Sequence, residues 1–166
     1  MTIIKRILKQ KTSLAILMVC ITLGVLSLNQ VLANSDSLIE LRNQLASQTQ
    51  VPVVLPTKNP QQAASISFAE ADTYMVRFTA SANCVGQEGC TRGTMVGRAL
   101  ETAYEWKGGT SVALSNGITA DYFAFDPTEP YTNAHLIWTE GDYRYELGMS
   151  GATAEEMLEV ANSAYE

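Results

Sequence analysis

The apolar positions of this chain fall into one long run, then a helical rhythm, then a series of two-residue alternations, then a second helical rhythm. The long run, almost wholly apolar, extends from Leu14 to Leu28. After it, Leu38, Leu41 and Leu45 recur at helical spacing with Arg42, Asn43 and Gln44 on the other side, and Ser37 with Glu40 fits a capping box. Val51 to Leu55 is a short β-branched run bounded by Pro52 and Pro56. Proline cannot donate to a sheet ladder, so this stretch reads as an edge strand or an extended crossing segment. Residues 57–67, with Pro60 and two glutamines, read as a loop.

From about residue 73 the period is two. Tyr74, Val76 and Phe78 alternate with Met75, Arg77 and Thr79, which predicts a half-buried strand, and Gly93 to Leu100 can return as its antiparallel partner. Ser111 to Leu114 meets Ser115-Asn116-Gly117, the strongest hairpin signal present, and Ile118 to Phe125 continues as a strand stopped by Asp126-Pro127. Ala134 to Thr139 and Tyr143 to Leu147 flank the tight-turn sequence Glu140-Gly141-Asp142. Alternation sends Leu136 and Trp138 to one face, and likewise Tyr143, Tyr145 and Leu147. Thr153 and Glu156 form a second capping box, ahead of an apolar stripe of Met157, Val160, Ala161 and Ala164. The plan is α+β: an N-terminal helix, an antiparallel meander of about five to six strands and a C-terminal helix packed on the sheet. The other sheet face is expected to be free or partly wrapped by the proline-bounded segment.

The long apolar run is read differently. Lys5, Arg6, Lys9 and Lys11 precede it, and Val31-Leu32-Ala33 supplies small residues before Asn34, the pattern of a cleaved export signal over residues 1–33. The run is shorter than the roughly 20 residues of a spanning helix, and Asn29 and Gln30 interrupt it. Contact with the membrane is then transient, and the mature domain is 34–166 in the periplasm or outside the cell. The alternative is a retained segment that tethers a sensor domain.

Removal of that segment changes the charge. The chain has 11 Lys+Arg against 17 Asp+Glu; taking away the four basic residues leaves 7 against 17, a net charge of about −10. Nucleic acid and anionic membranes call for a cationic surface and are excluded as partners. Two cysteines remain, Cys84 and Cys90, and in an exported chain they are expected to form a disulfide. Closing a loop of this length contributes roughly 2.4 kcal/mol in the chain-entropy treatment.

The combination of Val51-Pro52-Val53-Val54-Leu55-Pro56-Thr57 with Trp138, Gly141-Asp142-Tyr143-Arg144-Tyr145 and a terminal helix ending Ala161-Asn162-Ser163 resembles uncharacterised exported bacterial proteins. The last third is similar to small domains of unknown function in exported or membrane-tethered bacterial proteins, where a Trp-containing hairpin precedes a helix with a Glu-Glu-Leu-like start. Met157 stands here where Leu is more usual. The resemblance implies an α+β fold and no particular activity.

Chemistry is sparsely marked. There is no Gly-x-Ser-x-Gly elbow and no phosphate-binding glycine loop. His135 is the single histidine; with a serine or carboxylate it is the basis of an alternative reading as an envelope hydrolase. Glu70 with Asp72, and Asp126 with Glu129 and Tyr131-Thr132-Asn133, are places where a cation would find oxygen ligands, but neither has the spacing of a calcium loop. No cofactor or metal is expected. Tyr122, Trp138, Tyr143 and Tyr145, together with His135, are the candidate ligand-binding residues, because strand alternation can carry aromatic rings to an open face. The reading is a non-catalytic envelope domain that binds a small molecule or a protein partner.

Overall fold

The computed structural model describes residues 35–58, 63–84, 88–103, 105–126 and 133–166. The export segment therefore lies outside the described residues, as do Glu129, Tyr131 and Thr132 of the candidate cation loop. The elements run α1 (Ser35–Ala46), β1 (Ala63–Glu70), β2 (Thr73–Thr79), β3 (Thr91–Ala99), β4 (Thr110–Ala113), β5 (Thr119–Phe123), β6 (Ala134–Glu140), β7 (Tyr143–Met149) and α2 (Ala154–Asn162).

All neighbouring strands pair antiparallel in one sheet of order β1-β2-β3-β7-β6-β5-β4. The α+β plan with a helix at each end holds, but there are seven strands rather than five or six. Nor do they form a single meander. Two meanders, β1-β2-β3 and β4-β5-β6-β7, join through the β3–β7 pair, so the chain leaves β3 at the centre and re-enters at the far edge. Sequence order favours pairing β3 with β4; burial decides otherwise. Met95 on β3 meets Leu147 on β7, both 1% exposed, whereas β4 has no fully buried residue.

The strand β1 falls where the sequence reads as loop. Its inner half, Ala63-Ala64-Ser65, is buried through small side chains that carry little strand signal, and a bulge between Ile66 and Phe68 breaks its alternation. The α1 helix starts two residues before the expected cap, so Ser37 lies inside it. At α2 the capping box is present: the Thr153 hydroxyl accepts from the Glu156 backbone N–H, and the Glu156 carboxylate accepts from Thr153 N at 2.8 Å. The bond from Thr153 N, with a second from the Thr153 hydroxyl at 3.1 Å, holds the Glu156 carboxyl below the usual carboxylate range.

The core occupies one face of the sheet. Tyr74, Val76, Phe78, Met95, Leu136, Trp138, Tyr145 and Leu147 point into it from the strands, met by Leu41 and Leu45 from α1 and Met157 and Val160 from α2. Full burial of a leucine or methionine stabilises by roughly 1.5–3 kcal/mol, so both helices are held by packing rather than by length. The proline-bounded segment lies on this same face, not on the opposite one. It is an extended crossing piece with Val51, Leu55 and Pro56 buried. Its backbone is satisfied by tyrosine: the Tyr74 hydroxyl donates to Val54 O and accepts from Val54 N, each at 3.0 Å, and Tyr145 donates to Pro52 O at 3.0 Å. Cys84 and Cys90 form the expected disulfide between β2 and β3, with Cα atoms 5.4 Å apart. No helix among the described residues is long and apolar enough to cross a membrane.

Candidate functional site

Alternation sends the remaining strand residues to the second face, and their pairing gives its map. One row reads Met75, Val96, Glu146, Ile137 and Asp121 across β2, β3, β7, β6 and β5. The next reads Arg77, Thr94, Gly148, His135 and Phe123. A third carries Arg98, Arg144, Thr139 and Thr119. This face is mixed in polarity, where the core face is almost wholly apolar.

The β3–β4 connection brings Trp106 onto this second face. Its indole lies over His135 with ring centroids 4.7 Å apart and against Phe123 at 5.2 Å. The strap approaches closely because Gly109 has no side chain: a Cβ there would come within 2.8 Å of the Phe123 ring and 2.9 Å of Asp121 Cβ. Beneath Trp106, His135 is 8% exposed and its Nδ1 lies 3.0 Å from Glu146 Oε1. Gly148 leaves the imidazole room, since a Cβ at that position would lie 3.4 Å from His135 Cε1.

Beside this stack a cleft of about 400 Å³ opens, lined by Trp106, Phe123, Ile137, Trp138 and Ile118, with Thr119, Asp121, Thr139 and Arg144 as its polar members. Asp121 and Thr139 are exposed at the rim, whereas Arg144 is half-buried. The arrangement offers an apolar wall for a ring, one carboxylate, one guanidinium and two hydroxyls. Those groups can bind and orient a small polar molecule. Among the described residues no three His, Cys, Asp or Glu side chains gather closely enough to hold a metal ion.

The residues singled out from sequence are divided between the two faces. His135 is on the cleft face, though under Trp106 rather than in the cleft lining. Trp138 is 2% exposed; it lines the cleft, yet its Nε1 donates to the Tyr165 hydroxyl at 2.8 Å in the core layer. Tyr145 is buried against the crossing segment, and Tyr122 donates to Ala152 O at 3.1 Å. Tyr143 lies at the sheet end, where it borders a second cleft, of about 480 Å³, with Asp72, Leu100 and Glu101. The sequence reading missed Trp106, Asp121 and Arg144. Trp106 stands in a segment with no periodicity, and only the strand order brings it across. Asp121 and Arg144 were recoverable in principle, because they alternate with Ala120 and Tyr145, which point to the core.

Comparison with protein-family models, curated proteins and solved structures finds no match to this chain.

Proposed function

We propose that this chain is an exported, non-catalytic domain of the cell envelope that binds a small ligand in the cleft beside Trp106. The observation that carries the reading is the cleft itself: about 400 Å³, walled by Trp106, Phe123 and Ile137 and furnished with Asp121 and Arg144. That volume lies within the roughly 300–1,000 Å³ range of small-molecule sites. Export rests on the basic, apolar and small-residue sequence of residues 1–33, and the Cys84–Cys90 disulfide suits an oxidising compartment.

The test is a thermal-shift and fluorescence screen of the protein against small sugars, amino acids and aromatic acids, repeated with Trp106→Ala. A hit should raise the melting temperature of the natural protein and weaken about tenfold or more in the variant, the scale of one lost aromatic contact with its packing. A hit that ignores the substitution would place binding elsewhere and remove this reading. Mass measurement of protein from the envelope fraction decides the address: a chain beginning at Asn34 is expected, and retention of residues 1–33 would favour a tethered sensor.

One contact favours the hydrolase as second reading, the 3.0 Å approach of His135 Nδ1 to Glu146 Oε1, which is the orienting half of a nucleophile-activating pair. Ester hydrolysis by the natural protein that disappears in His135→Asn would establish it.

A further inference from the structure

The lining of the cleft beside Trp106 holds two ionisable side chains of opposite sign, Asp121 from β5 and Arg144 from β7. A ligand with one formal charge is drawn to one of them and repelled by the other, whereas a neutral polar ligand is penalised by neither. Asp121 is exposed, and among the described residues it makes no ion pair, so its carboxylate is open as an acceptor. Arg144 is half-buried and already engaged within the fold. Thr119 and Thr139, both exposed, add hydroxyls that donate and accept. Thr139 pairs directly with Arg144, and Asp121 with Ile137, so polar groups from three adjacent strands surround one apolar side chain. Two strand spacings separate β5 from β7, about 10 Å. Hydrogen-bonding groups spread over that width match a ring that bears several hydroxyls. They do not match an α-amino acid, which carries both its charges on one carbon.

The apolar wall completes the match. Trp106 leans on His135 and Phe123, which fixes its indole, and Phe123 and Ile118 extend the surface. Aromatic rings are electron-rich on their faces and attract the weakly positive C–H groups of a sugar ring. We propose that the cleft takes a neutral hexose ring, its C–H groups against Trp106 and Phe123 and its hydroxyls on Asp121 and Thr139. This rests on the cleft reading above and adds the chemical class of the ligand.

The experiment titrates the full chain, as recovered after expression, with methyl glucoside, methyl galactoside and methyl mannoside. Glucuronate, glucosamine, phenylalanine and cyclohexanol are the controls, and tryptophan fluorescence and backbone amide shifts are the readouts. At least one glycoside should bind more than tenfold tighter than cyclohexanol, and tighter than every charged control. Its affinity should be the same at low and high salt, because a neutral ligand has no charge to screen. Asp121→Ala should weaken it about tenfold, the scale of one hydrogen bond to a charged group, and Thr139→Val about fivefold, the scale of a neutral one. Trp106→Ala separates the two readings. A charged control that binds tightest and is weakened by Trp106→Ala overturns the sugar inference and leaves the cleft standing. A glycoside weakened by Trp106→Ala but unaltered in Asp121→Ala and Thr139→Val has the same meaning. A glycoside that ignores all three variants binds elsewhere and overturns both readings. Binding of no glycoside overturns the inference, and the wider panel then decides the cleft. Should Asp121→Ala fail to fold, Asp121→Asn takes its place, with a weakening of about threefold expected from loss of the charge and unaltered affinity counting against the proposal.

Discussion

The hydroxyl of Tyr74 donates to Val54 O and accepts from Val54 N, so one side chain performs the pairing that a neighbouring strand would otherwise supply. The residue is 0% exposed, and burial pushes its phenol well above the ordinary range, against a smaller opposing effect of the Val54 bond. Tyr74→Phe keeps the ring and leaves the Val54 backbone without this partner. The expected loss is about 1–3 kcal/mol in denaturant unfolding, the cost of stranding part-buried backbone groups. A change within measurement error would mean that water replaces the hydroxyl there. That Tyr74 points inward was legible in the alternation of β2; that it holds a segment 20 residues earlier was not, because hydrogen bonding between distant segments leaves no periodic trace. The same limit applies at the candidate site. His135 could be singled out as the single histidine of the sequence, but Trp106 above it and Glu146 beside it come from separate elements.

At the scale of elements, the pairing of β3 with β7 depends on what β3 lacks as much as on what it carries. Gly97 stands opposite Tyr145 on one side and Tyr74 on the other. A Cβ at Gly97 would lie 2.6 Å from Tyr74 Cζ and 2.8 Å from its hydroxyl oxygen. That ring is held at both ends, so it cannot swing away cheaply. Gly97→Ala is expected to destabilise by about 1–3 kcal/mol through overpacking, visible as a lowered denaturation midpoint with an unchanged slope. Alternation and turn chemistry made most elements legible. Gly117, at φ 84°, closes the β4–β5 hairpin as its Asn-Gly sequence indicates. What alternation could not convey was β1, whose buried residues are small, and the order of strands, which follows from global burial. The β2–β3 connection is the element with a covalent tie. Replacing both Cys84 and Cys90 by Ser should cost about 2.4 kcal/mol while retaining the fold, as read by far-UV circular dichroism. Two free thiols in the denatured natural protein would refute the bridge.

Taken as a whole molecule, the sheet divides its charge and its phenols between two faces. Tyr74, Tyr145 and Tyr165 belong to the helix-covered side, and burial raises all three phenols above their ordinary value, Tyr165 to about 12 and the other two further. The Tyr165 hydroxyl accepts from the Trp138 indole and donates to Glu140 Oε2 at 3.0 Å, tying the end of the chain to β6. These groups join the crossing segment, the sheet and the C-terminal tail, so their ionisation acts on the entire fold. A phenol whose folded pKa is raised contributes stability that is fully present below about pH 10, its unfolded value. That contribution is lost as pH rises through the folded values. The expected outcome is a fold that is insensitive to pH from neutrality to about pH 10 as far as these tyrosines are concerned, then loses stability steeply toward pH 12. Followed by tyrosinate absorbance alongside circular dichroism, Tyr74, Tyr145 and Tyr165 should ionise only together with unfolding. Ionisation of these three near pH 10 with the fold intact would show that the phenolic bonds to the crossing segment and tail do not form in solution. Tyr74→Phe should then shift the alkaline transition to higher pH while lowering stability at neutrality, a combination that loss of packing alone does not produce.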